Sequence, residues 1–205
     1  MEAIDSFFTI KSSSEIEIKI RGSRFIGRTL PCESVDAAEG ILGDIRKKYY
    51  DATHNCFAYQ VGIGKEMKFR YSDDGEPSGT AGRPIYDQIV GRSLTNLIVI
   101  VTRYFGGVKL GTGGLTHAYS DAAAEALGTA GVVEKFITDK VRMTIQFPDY
   151  NVVERSIHQI GANVVDSEFS DIVRLTVELR LSLVDRLKES LINVTSGRIK
   201  FEQDA

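Results

Sequence analysis

The chain has 205 residues, 42% hydrophobic and 26% charged, with a formal net charge of −3. Those totals suit one large or two small globular domains and exclude a protein that coats nucleic acid through bulk positive charge. The longest purely apolar run, LIVIV at 97–101, is far too short to cross a bilayer. The acidic start MEAIDSFF carries no secretion signal, and two cysteines, Cys32 and Cys56, make no disulfide framework, so a cytoplasmic chain with reduced thiols is expected.

Taken in order, EIEIKI (15–20) alternates strictly and predicts a half-buried strand, followed by a second strand in RFIGRTLP. Residues 34–50 place Val35, Ala38, Leu42, Ile45 and Tyr49 on one helical stripe, with Ser34 as N-cap. NCFAYQVGI and MKFRYS predict a hairpin around Gly64-Lys65. After a polar loop, PIYDQIV predicts a short helix with Pro84 in its first turn and Gly91 past its end. NLIVIVTRYF (96–105) is apolar on both sides, which predicts a strand at a sheet centre. GGVKLGTGG (106–114) is a glycine-dense loop. An Ala-rich helix over 115–130 follows, its narrow face of Leu115, Ala118, Ala122 and Ala126 able to approach a sheet closely.

From about residue 138 the order becomes β-α-β-β-α-β, the ferredoxin-like plan. Strands are expected in KVRMTIQF, NVVDSEFS, IVRLTVELRL and RIKFEQ, and helices in 150–161 and 183–194. The fold class is therefore α+β, with a first domain at 1–136 and a second at 139–205. Alternation puts Lys140, Arg142, Thr144 and Gln146, then Arg174, Thr176, Glu178 and Arg180, then Lys200 and Glu202, on the sheet face that the helices leave open. That face carries five cations and two anions, although residues 139–205 hold nine Lys+Arg against eleven Asp+Glu. Adding Asp166 and Glu168 from the edge strand confines the positive charge to its centre. It is either a solvated or docking surface or a contact surface for phosphate backbone. Stacking aromatics are missing from it, which argues against base reading.

Two segments carry the candidate chemistry. In SDDGEPSGTAGRP (72–84), Asp73, Asp74 and Glu76 form an acidic half, and Ser78, Thr80 and Arg83 with the glycine amides form a donor-rich half. One reading is a Mg²⁺–phosphate site; the other is internal, with carboxylates locking the loop and neutralising Arg70, Arg83 or Arg103. In GGVKLGTGGL, Thr112, Gly113 and Gly114 sit at a helix N-terminus with Lys109 and Arg103 nearby, an expected anion cradle. It is no P-loop, because Thr112-Gly113 follow where Lys and Ser/Thr are needed. The glycines could equally serve tight packing alone. THNC (53–56) brings His54 and Cys56 together, a weak basis for zinc or for a Cys–His nucleophile. His54 is expected instead to hydrogen-bond the neighbouring loop.

GSRFIG (22–27), ATHNCFAY (52–59), RYSDDGEPSGTAGRPI (70–85) and VTRYFGGVKLGTGGLTHAY (101–119) together resemble the IMPACT/YigZ family, in its bacterial arrangement. The resemblance implies a first domain similar to ribosomal protein S5 domain 2 and a second similar to the last domain of elongation factor G. Eukaryotic members of that family are translation regulators that compete for the activator of a starvation-responsive kinase, with help from an N-terminal RWD domain. About fourteen residues precede the first clear strand, so the starvation-kinase role is not transferred. The expectation is a cytoplasmic protein associated with RNA or the ribosome that modulates translation by binding phosphate groups. The alternatives are an enzyme acting on a phosphorylated small molecule and a protein-binding module.

Overall fold

A computed structural model describes residues 5–202. Residues 1–4 lie outside it, as does Gln203, the expected end of the last strand. The chain divides into two compact units, one over Phe7–Lys135 and the other running onward from Phe136.

The first unit is built on a five-stranded antiparallel sheet of β2 (Ser14–Ile20), β3 (Ser23–Pro31), β4 (His54–Val61), β5 (Lys68–Ser72) and β6 (Leu97–Tyr104), in the order β2-β3-β6-β4-β5. The apolar strand β6 is central, as expected, because both of its faces are covered. Ile98 and Ile100 pack with Ala38 and Leu42 of α1 (Val35–Lys48), while Val99 and Val101 pack with Ile85 and Ile89 of α2 (Gly82–Val90) and Ala118 and Ala122 of α3 (Gly111–Ala130). Ser34 caps α1 through an Ala37 N–H bond of 3.1 Å. The small residues of α3 do bring it against the sheet: a Cβ on Gly27 of β3 would lie 2.6 Å from the Ala122 carbonyl oxygen. A Cβ on Gly106 would lie 1.9 Å from the Gly22 carbonyl carbon, so the loop after β6 crosses the β2–β3 turn backbone to backbone.

Two strands were not anticipated. β1 (Ser6–Ile10) and β7 (Val132–Phe136) pair as a separate two-stranded sheet. Neither SFFTI nor VVEKF alternates clearly, so their pairing is set by tertiary context. The Ala-rich helix also begins at Gly111, inside the stretch expected to be loop, with Gly111 at φ +71°.

The second unit follows β8 (Thr138–Ile145), α4 (Tyr150–Ile160), β9 (Asn163–Phe169), β10 (Val173–Arg180), α5 (Val184–Val194) and β11 (Lys200–Phe201). Its antiparallel sheet has the order β11-β8-β10-β9, the ferredoxin-like arrangement. Val141, Met143, Ile145, Val173, Leu175, Val177 and Leu179 form the sheet side of a core completed by Val153, Ile157, Leu187 and Leu191. Asp5 and Ser6 belong with this unit rather than the first: Ile137 N donates to Asp5 O at 2.7 Å, and the Ser182 hydroxyl bonds the Asp5 carboxylate.

Candidate functional site

Register assembles the site at one end of the first unit's sheet. Arg103 on β6 pairs with His54 at the start of β4 and with Phe25 on β3, all on the side that carries α2 and α3. A cleft of about 430 Å³ opens there, lined by Thr53, His54, Glu76, Pro77, Arg103, Phe105, Lys109, Leu110, Gly111, Thr112 and Leu115. The two glycine-rich segments therefore meet in one cavity, though with different members than the sequence suggested.

The acidic half of the 72–84 loop is turned inward. One oxygen of Asp73 accepts from Ala81 N at 2.9 Å and Gly82 N at 2.8 Å, and the other from Gly79 N at 2.9 Å. That carboxylate caps the start of α2 and consumes the amides expected to hold phosphate. Asp74, at φ +46°, accepts from Asn55 N at 2.7 Å and Arg46 at 2.6 Å. Thr80 is buried and donates to Pro77 O at 2.6 Å. Arg83 is exposed and pairs with Asp87. Ser78 is exposed and outside the cleft lining. Thr80 is thus spent inside the loop, and Ser78 and Arg83 lie outside the cleft lining. Among the described residues no three His, Cys, Asp or Glu side chains converge as metal ligands, and the carboxylates proposed for Mg²⁺ are engaged by amides and guanidinium groups.

Glu76 is the buried centre of the floor. It accepts from Arg103 at 2.5 Å and from the Tyr119 hydroxyl at 2.8 Å, and His54 Nε2 lies 3.8 Å away. Arg103 is only 5% exposed; a second arm reaches the Ser23 hydroxyl at 3.3 Å, and its Nε has no partner. Phe25 and Phe105 present their rings to the same guanidinium at 5.4 and 5.5 Å. Burial pushes the Tyr119 hydroxyl far above its ordinary range, so it acts as a donor to Glu76 and not as an acid. Burial likewise raises the Cys56 thiol, which donates to Asp73 O at 3.0 Å. A buried protonated thiol is no nucleophile, which removes the Cys–His reading.

The other wall is the start of α3. No side chain caps it, and Lys109 and Thr112 flank the mouth. Its first-turn N–H groups have no helical acceptor and carry the positive end of the helix dipole. Gly113 and Gly114 belong to this turn but do not line the cleft; a Cβ on Gly114 would meet Leu110 Cβ at 3.2 Å, so its role is packing. Thr53 and Phe105 were missed by the sequence reading. Thr53 N donates to Arg103 O at 2.9 Å and its hydroxyl accepts from Phe105 N at 3.0 Å, which stitches the rim.

Lys140, Arg142, Arg174 and Arg180 are exposed on the helix-free face of the second sheet, as alternation predicted. Arg174 pairs with Glu168 at 3.1 Å, and Arg180 lies 3.4 Å over the Phe136 ring. Part of that charge is thus already balanced.

Residues 21–127 match the family model described as the Impact N-terminal domain. The chain belongs to the IMPACT family. Residues 143–198 match a domain of unknown function, DUF1949. The IMPACT family member YvyE of Bacillus subtilis is 32% identical over 95% of this chain and 89% of its own length, and YigZ of Escherichia coli is 30% identical over 89% and 90%. A crystal structure described as that of a hypothetical protein covers 99% of both chains at 27% identity with a TM-score of 0.68. The bacterial IMPACT arrangement therefore extends through both units. No helix among the described residues is long and apolar enough to cross a membrane.

Proposed function

We propose that this IMPACT-family chain is an RNA-binding regulator of translation that takes phosphate groups of an RNA strand, free or within the ribosome, into the cleft of its first unit. The observation that carries the reading is the uncapped start of α3 opening into a solvent-accessible cleft, with Lys109 and Thr112 at the mouth and the buried Arg103 in the floor. Amides at a helix start, an ammonium and a hydroxyl are donors suited to phosphate oxygens. The open sheet face bearing Lys140, Arg174 and Arg180 adds sequence-independent backbone contacts.

Filter binding of a single-stranded RNA at several salt concentrations tests this. Affinity falls as salt rises, and Lys109→Ala weakens binding evenly across sequences while reducing the logarithmic slope by about 0.7–1. Absence of binding at low salt, or binding indifferent to salt, overturns the reading.

A second reading is an enzyme acting on a small phosphorylated molecule. The cleft favours it by size, since about 430 Å³ with Phe105, Leu110 and Leu115 in its walls would enclose one nucleotide. A nucleotide at a hundred times its Kd would raise stability by about 2.7 kcal/mol, which thermal-shift screening detects.

A further inference from the structure

His54 opens β4 at the cleft wall, and its surroundings decide which ring nitrogen carries the proton. Nδ1 lies 2.8 Å from the Asp74 carbonyl oxygen. A carbonyl only accepts, so Nδ1 must donate, and the neutral ring then presents a bare lone pair at Nε2. The carbonyl is held in place by a residue in the left-handed region, Asp74 at φ +46°, whose carboxylate is anchored by Asn55 N and Arg46. Backbone strain of this kind persists only where neighbours enforce it. Nε2 is 3.8 Å from Glu76 Oε1, too far for a hydrogen bond, and Oε1 already accepts from Arg103 and Tyr119.

The lining is therefore divided by hydrogen-bond sense. The α3 wall offers amide and ammonium donors, whereas His54 offers an acceptor. A phosphate, which only accepts, satisfies the first wall and leaves Nε2 unmatched. In a nucleic-acid backbone the neighbouring group that donates is the ribose 2′-hydroxyl, the atom that separates RNA from DNA.

We infer that the cleft selects ribose over deoxyribose, with His54 Nε2 accepting a hydrogen bond from a 2′-hydroxyl. This rests on the RNA-binding reading above and adds a specificity that phosphate contacts alone lack.

The test compares a short single-stranded ribo-oligonucleotide with its 2′-deoxy counterpart of matched sequence, bound to the full chain at pH 8. The ribo form binds about three- to tenfold more tightly, the equivalent of one neutral hydrogen bond, and His54→Phe brings the ratio to about one. A ratio near one in the unmodified chain, with binding intact, overturns the inference and leaves the RNA reading standing. A ratio unchanged by His54→Phe also overturns it. Failure of both oligonucleotides to bind overturns the two together. Should His54→Phe not fold, a long-range ¹H–¹⁵N spectrum of the unmodified chain decides. Nδ1 carries the proton, and the Nε2 resonance moves with the ribo form and stays with the deoxy form; an Nε2-protonated ring, or equal movement with both, contradicts it.

Discussion

Arg103→Met is expected to destabilise the first unit by about 3–5 kcal/mol, the cost of breaking a buried ion pair from one side. Glu76 would lose its cation with a side chain only 3% exposed, and the Tyr119 hydroxyl would be the remaining close donor. A carboxylate left this way is costly because neither water nor a cation compensates it. Met fills most of the volume of the Arg stem, so lost packing against Phe25 contributes little. The double variant Arg103→Met/Glu76→Met is expected to recover a large part of the loss, because no isolated charge remains. Denaturant titration followed through the first unit's transition measures both. A loss below about 1 kcal/mol in the single variant would mean that the pair is solvated and not the floor described above.

Asp73→Ala is expected to cost about 3 kcal/mol or more, since three backbone N–H groups lose a charged acceptor at once. Asp73→Asn is expected to fall between. Its single carbonyl oxygen can keep the Ala81 and Gly82 bonds made by Oδ1, while the Gly79 bond made by Oδ2 is lost. Hydrogen exchange separates the two variants. Gly79 alone loses protection in Asp73→Asn, and Gly79, Ala81 and Gly82 all lose it in Asp73→Ala. Unchanged stability in Asp73→Ala would show that the loop is held by something other than this carboxylate.

The contrast between these residues and the rest shows what could be read from the chain alone. The central place of β6 followed from Ile98, Val99, Ile100 and Val101 being apolar on both faces, and the open basic face of the second sheet followed from strict alternation in β8 and β10. Both are local periodicities with one structural meaning. The 72–84 and 106–114 segments stood out by their composition, and the fold brings them to one cleft. Which side chains turn into the cavity was not legible there. Asp73 and Thr80 look like ligand-binding groups in sequence, yet a loop with few apolar contacts must supply its own hydrogen bonds, and they are spent on it. Glu76 and Tyr119 are 43 positions apart and meet only through packing of α3, which no spacing rule reports. Thr53 did carry a signal, since it stands next to His54 in the THNC motif. The β1–β7 pair had no such signal, because neither segment has a period of its own.

The start of α3 is where phosphate is expected to be held. Amide chemical shifts of the ¹⁵N-labelled full chain, followed while a short ribo-oligonucleotide is added at low salt, test this directly. Gly111 and Thr112, with Lys109 and Leu110 before them, are expected to move first and furthest, at the same concentrations that saturate filter binding. Shifts concentrated on β8 and β10 around Arg142 and Arg174, with the first turn of α3 unmoved, would contradict it.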